Sequence, residues 1–151
     1  VEVQIDGELD LCDIAPIEAG GRETLTAKLR GARIDGDVLA RGAKFARAPE
    51  SNGDALNLQG AEIEGNVFLR EGFEAFGPVT LYGARIKGSV DCSGGAFLNR
   101  SDDASATALN AETARIEGDV LLRNPGSSLV DGQRVEMAKP AASAASASTP
   151  K

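Results

Sequence analysis

One glycine-punctuated apolar phrase recurs along this chain, and it constrains the fold more than any other feature. Aligned on Gly-Ala-x-Ile-x-Gly-x-Val, isoleucines fall at Ile5, Ile34, Ile63, Ile86 and Ile116, each followed two residues later by a glycine: Gly7, Gly36, Gly65, Gly88 and Gly118. The intervals are 29, 29, 23 and 30 residues. A unit of that length cannot bury an apolar face alone and does so by stacking on its neighbours. In the best-formed copy apolar residues alternate with polar ones, as Leu56 and Leu58, Ala61 and Ile63, Val67 and Leu69, with Gly60 and Gly65 at the breaks. Period two is the signature of a strand, and a residue without Cβ tolerates the backbone angles of a corner. Each unit therefore reads as three short strands bent at glycines, with successive units stacked at roughly 4.8 Å. The fold class expected is all-β, a parallel β-solenoid (β-helix) of about five coils with loops inserted at one corner.

Stacking turns each repeat position into a row along the solenoid. The inward rows are apolar: Ala27, Leu56, Val79, Leu109; Leu29, Leu58, Leu81, Ala111; Ala32, Ala61, Ala84, Ala114; the isoleucines; Leu9, Val38, Val67, Val90, Val120; and Leu11, Ala40, Leu69, Cys92, Leu122. A glycine row through Gly31, Gly60 and Gly83 is broken at Thr113. Outward rows are polar, with Arg33, Glu62, Arg85, Arg115 beside Asp6, Asp35, Glu64, Lys87, Glu117, an order that suits ion pairs between coils. Phe45, Phe73 and Phe97 each follow the third strand and are expected to plug the corner from inside.

Along the chain, residues 1–11 form a partial first coil, followed by a breaker-rich loop through Pro16, Gly20 and Gly21. Coils then run from about Leu25, Leu56, Val79 and Leu109. Insertions collect after the phenylalanine, at residues 46–54, 74–78 and 98–107. The solenoid domain is assigned to residues 1–138, with Leu129, Val130 and Val135 as a final apolar trace, and residues 139–151 read as an Ala/Ser/Pro-rich disordered tail or linker. The entry in mid-coil at Val3 suggests a piece of a longer protein.

The net charge of −7 disfavours nucleic acid and anionic membrane as partners, because both call for a basic patch. No apolar run is long enough for membrane insertion. Cys12 falls on an outward position and Cys92 on an inward one three coils away, roughly 14 Å apart, beyond the reach of a disulfide. A reducing, cytoplasmic setting fits that usage.

With no histidine in the chain, imidazole metal sites and Ser-His-Asp triads are excluded, and no glycine-rich phosphate loop or other cofactor fingerprint is present. Three sets of residues remain as a candidate interaction surface. One is the outward row Glu8, Asp37, Asn66, Ser89, Asp119, where Asp37, Asn66 and Asp119 would be the place for a cation or an acid–base pair. A second is the row Arg41, Arg70, Arg123, interrupted by Ser93, which suits an anionic partner. The third is the loop edge, with Arg47, Asn52, Asn99 and Arg100, since loops on one edge of a solenoid commonly carry recognition.

The Gly-Ala-Arg-Ile-x-Gly cores at Gly31–Gly36 and Gly83–Gly88, with Ala-Arg-Ile-Glu-Gly at Ala114–Gly118, resemble the rungs of bacterial β-solenoid repeat proteins. These are pentapeptide-repeat-like proteins, some labelled putative membrane-associated oxidoreductase; bactofilins are more distantly similar. The resemblance implies architecture, and with the residues above it implies a non-catalytic scaffold or protein-interaction module. Such a module would act through its loop edge or open coil ends, on a protein partner or by self-association. The alternative is a carbohydrate-active or other enzyme domain that uses the carboxylate row.

Overall fold

The structure, a computed structural model, describes residues 3–16, 24–48, 52–99 and 106–123. The assignments to residues 124–151, including the tail and the Leu129–Val135 trace, lie outside the described residues, as does Arg100. Among the described residues every strand is two or three residues long, and the strands pair in parallel, from one coil to the next. The chain is an all-β parallel solenoid.

Each full coil has four sides. The first face stacks β3 (Ala27–Lys28), β7 (Leu56–Asn57), β11 (Val79–Thr80) and β15 (Leu109–Asn110). The second face stacks β1 (Gln4–Ile5), β4 (Arg33–Ile34), β8 (Glu62–Ile63), β12 (Arg85–Ile86) and β16 (Arg115–Ile116). The third stacks β2 (Leu9–Asp10), β5 (Val38–Leu39), β9 (Val67–Phe68), β13 (Val90–Asp91) and β17 (Val120–Leu121). The register on these three faces is the one the sequence predicts. Ile5, Ile34, Ile63, Ile86 and Ile116 pair in order, as do Leu9, Val38, Val67, Val90 and Val120 and Ala27, Leu56, Val79 and Leu109. In the interior coils these side chains are fully buried, with Leu56, Ile63, Val67 and Val79 at 1% exposure or less.

The fourth face corrects the three-strand reading. It stacks β6 (Lys44–Ala46), β10 (Glu74–Phe76) and β14 (Ala96–Phe97), so residues 74–76 are strand rather than inserted loop. Phe45 pairs with Ala75 and Ala75 with Phe97, which removes Phe73 from that row. Coil three carries one extra residue at the corner before this face: Glu71, at φ 48, takes the left-handed place of Gly42 and Gly94, and Gly72 follows it. The extra residue shifts the phenylalanine from the Phe45 position to the Ala43 position. The result is alternating large and small side chains, with Phe73 stacked between Phe45 (6.0 Å) and Phe97 (5.3 Å) over the gap left by Ala75. The three phenylalanines are core, as expected.

The corners are of two kinds. Between the first and second faces, Ala32, Ala61, Ala84 and Ala114 donate their N–H to the carbonyl three residues back, and the third residue of each turn lies at positive φ. Gly31, Gly60 and Gly83 supply that angle without strain; Thr113 adopts φ 57 in the same place, an uncommon state for a β-branched residue. Between the second and third faces the coils instead come into backbone contact. A Cβ on Gly36, Gly65, Gly88 or Gly118 would lie 2.6–2.8 Å from the glycine backbone of the preceding coil. The isoleucine-x-glycine phrase thus marks a seam.

On the N-terminal side of the fourth face, Leu25 forms an antiparallel bridge to Ala46, and the Ile14 carbonyl accepts from Lys44 N–H. Cys12 and Cys92 are both free thiols; burial pushes Cys92 up to about 12, and a hydrogen bond to Asp10 raises Cys12. No helix among the described residues is long and apolar enough to cross a membrane.

Candidate functional site

The outward row beside the seam proves to be internal bracing. Asp37 Oδ1 accepts the backbone N–H of Asn66 at 2.6 Å and its Nδ2 at 3.1 Å. Asn66 Oδ1 accepts Ser89 N–H at 2.8 Å, and Ser89 Oγ accepts Asp119 N–H at 2.9 Å. Each side chain therefore ties the next coil at the same corner, directly over the following glycine; a Cβ on Gly65, Gly88 or Gly118 would strike Asp37 Oδ1, Asn66 Oδ1 or Ser89 Oγ. An acid–base pair needs oxygens facing a substrate, whereas one oxygen of each linking member here faces backbone. Asp37 and Asn66 belong to the fold, and Asp119 receives the last of these bonds through its N–H.

The arginine row is likewise closed by the chain's own carboxylates. Glu71, the extra corner residue, lies between Arg41 (3.8 Å) and Arg70 (3.9 Å), and Arg70 Nη1 reaches Asp91 Oδ2 at 3.0 Å. Arg70 also stands over the Phe68 ring, 4.6 Å from its centroid. Asp91 is nearly buried, and its second oxygen accepts Ser93 N–H at 2.9 Å. Burial pushes its carboxyl up, but the hydrogen bonds from Ser93 and then Arg70 outweigh it and leave Asp91 below the usual carboxylate range. The anion groove expected along Arg41 and Arg70 is occupied from within; Arg123 stays exposed at the end of the row.

The loop edge is organised by one side chain. Arg47 donates from Nη1 to the Gly53 carbonyl and from Nη2 to Asn99 Oδ1, both at 3.3 Å, and so joins the insertions of two coils across a third. Its stem passes over Gly77, at φ 144, where a Cβ would lie 2.9 Å from Arg47 Cγ. Asn99 in turn donates Nδ2 to the Thr107 carbonyl at 3.0 Å, and Asp54 accepts from Asn57 Nδ2 at 2.6 Å. Asn52 is exposed.

Between these joined insertions stands Phe76, 38% exposed on the outer face of β10. Its neighbour in register toward the N-terminus is Ala46; toward the C-terminus it is Leu98, whose N–H bonds to Ala75. The three form an outward apolar row on the fourth face. The sequence reading missed it by counting residues 74–78 as loop; the signal available was the Glu-Ala-Phe alternation against Lys-Phe-Ala. Asp91 was missed too, although Asp10, Asn57, Asp91 and Asn110 share a spacing, each accepting the N–H two residues on before a left-handed corner.

Comparison with protein-family models, with curated proteins and with solved structures finds no match to this chain.

Proposed function

We propose that this solenoid is a non-catalytic protein-interaction module, and that its working surface is the loop edge together with the outer side of the fourth face. The observation that carries the reading is Phe76: a large aromatic exposed in a strand, flanked by Ala46 and Leu98 and by two insertions that Arg47 fastens to each other. Rigid strands presenting an exposed aromatic beside variable loops meet the requirements of a binding surface, since aromatic anchors carry much of the energy of an interface. The resemblance to bacterial solenoid scaffolds points the same way, and a cytoplasmic protein partner is part of this proposal. The test replaces Phe76 with a photo-reactive phenylalanine analogue and irradiates the chain in an extract of the cells that make it. A discrete adduct lost in the presence of excess unlabelled wild-type chain, but not in excess Phe76→Asp, supports the reading; no competable adduct refutes it.

A further inference from the structure

On the second face, far around the coil from the loop edge, two arginines are left in an arrangement that costs stability. Arg85 and Arg115 are direct partners in register, so their Cα atoms sit one strand spacing apart, roughly 4.8 Å, with both side chains on the outer surface. Like charges opposite each other on a sheet repel. The rest of this face avoids that: Arg33 pairs with Glu62 at 3.8 Å and Lys87 with Glu64 at 2.6 Å, and Lys87 is raised chiefly by its bond to Glu64. Glu62, which neighbours Arg85 in register, is thus the partner of Arg33, and among the described residues no ion pair or side-chain hydrogen bond reaches the guanidinium of Arg85 or Arg115. At the corner that leads into β12 stands Tyr82, 41% exposed.

We infer that Arg85 and Arg115, with Tyr82 at the corner that leads into their face, form a docking site for a carboxylate-bearing peptide segment of a protein partner. Two planar guanidinium groups at strand spacing present parallel forks that match carboxylates, and an exposed tyrosine supplies amphipathic contact. Charge complementarity selects the occupant: this is an unneutralised positive pair on a chain of net charge −7. A long polyanion such as nucleic acid would meet the surrounding Glu62, Glu64, Glu112 and Glu117, whereas a short acidic segment need contact only the pair. This site lies on a different face from the loop edge and stands or falls independently of it.

The experiment is a fluorescence-anisotropy titration with a labelled peptide of alternating glutamate and serine at low salt. Expected are saturable, salt-sensitive binding to the wild type, a loss of roughly tenfold in the Arg85→Gln, Arg115→Gln double variant, and no change in Arg33→Gln, whose guanidinium already has Glu62. Arg115→Glu places a carboxylate beside Arg85; it should abolish peptide binding while raising the melting temperature, which a purely structural pair would not couple. Absence of saturable binding, equal binding by the double variant, or tighter binding of a phosphate-bearing peptide than of the carboxylate one would overturn the inference.

Discussion

The seam between the second and third faces and the loop edge between the fourth and first are built from the same chain, yet they treat its length in opposite ways. At the seam each coil passes from Ile34 to Val38, Ile63 to Val67, Ile86 to Val90 or Ile116 to Val120 in the same number of residues. At the loop edge the connections are residues 47–55, 77–78 and 98–108. The physical difference is contact. Seam glycines lie against glycine backbone of the preceding coil, and Asp37, Asn66 and Ser89 bond to backbone of the coil that follows, so no residue can be added without breaking several contacts at once. At the loop edge one long side chain, Arg47, spans the insertions instead, and the connections differ in length from coil to coil. Constancy therefore marks where the coils interlock, and variation marks where a surface can be shaped for a partner.

The largest effect is expected from adding one carbon to the seam. Gly65→Ala puts a Cβ 2.7 Å from Gly36 backbone and against Asp37 Oδ1, neither of which can move away without parting the coils. The expected loss is about 3 kcal/mol or more. A Gly-Ser insertion after Asn52 should cost about 1 kcal/mol or less, as loop closure grows slowly with length. Urea melts of the two variants check both, and similar losses would mean the seam is not special.

Next in size is the bracing row. Asn66→Ala removes a bond to Ser89 N–H and leaves Asp37 with one donor fewer, an expected loss of about 1–3 kcal/mol, whereas exposed Asn52→Ala should change stability by about 0.5 kcal/mol at most. Thermal melts at one protein concentration separate them.

Asp91 gives a pH signature. Its folded carboxyl titrates below its unfolded value of about 3.9, so its contribution is present above that value and is lost as pH falls through the lower, folded one. With Arg70 partly exposed, the expected cost of Asp91→Asn at neutral pH is about 1–2 kcal/mol. The variant's stability should fall less steeply than the wild type's on acidification below about pH 4, as measured by urea midpoints across that range.

The smallest effect has the opposite sign. Thr113→Gly restores the residue type of Gly31, Gly60 and Gly83 at a left-handed corner, and it should raise stability by about 1 kcal/mol, visible as a higher melting temperature. A lower melting temperature would show that Thr113 makes a contact worth more than its strain.

How much of this was legible in the sequence divides along the same line. Three faces and every isoleucine, valine and leucine row could be read because the seam enforces one register, and one register makes periodicity visible. The fourth face was hidden by a single residue: with Glu71 inserted, Phe73 imitates Phe45 in sequence while Ala75 takes its place in space. Arg47 gave no local sign of its role, since its acceptor Asn99 is 52 residues away. The row at Asp37, Asn66 and Ser89 was read as surface because side-chain-to-backbone bonds across coils leave no periodic trace beyond the polar character that solvent exposure also explains.

If bracing and recognition are held by different corners, one paired measurement will separate them. Partner capture by Phe76→Asp and by Asn66→Ala is compared with that of the wild type at a temperature where circular dichroism shows all three folded, with melting temperatures recorded on the same samples. Phe76→Asp is expected to keep the melting temperature and lose the partner, while Asn66→Ala melts earlier and keeps it. Loss of the partner in Asn66→Ala with full retention in Phe76→Asp would show that the seam, not the loop edge, holds the partner.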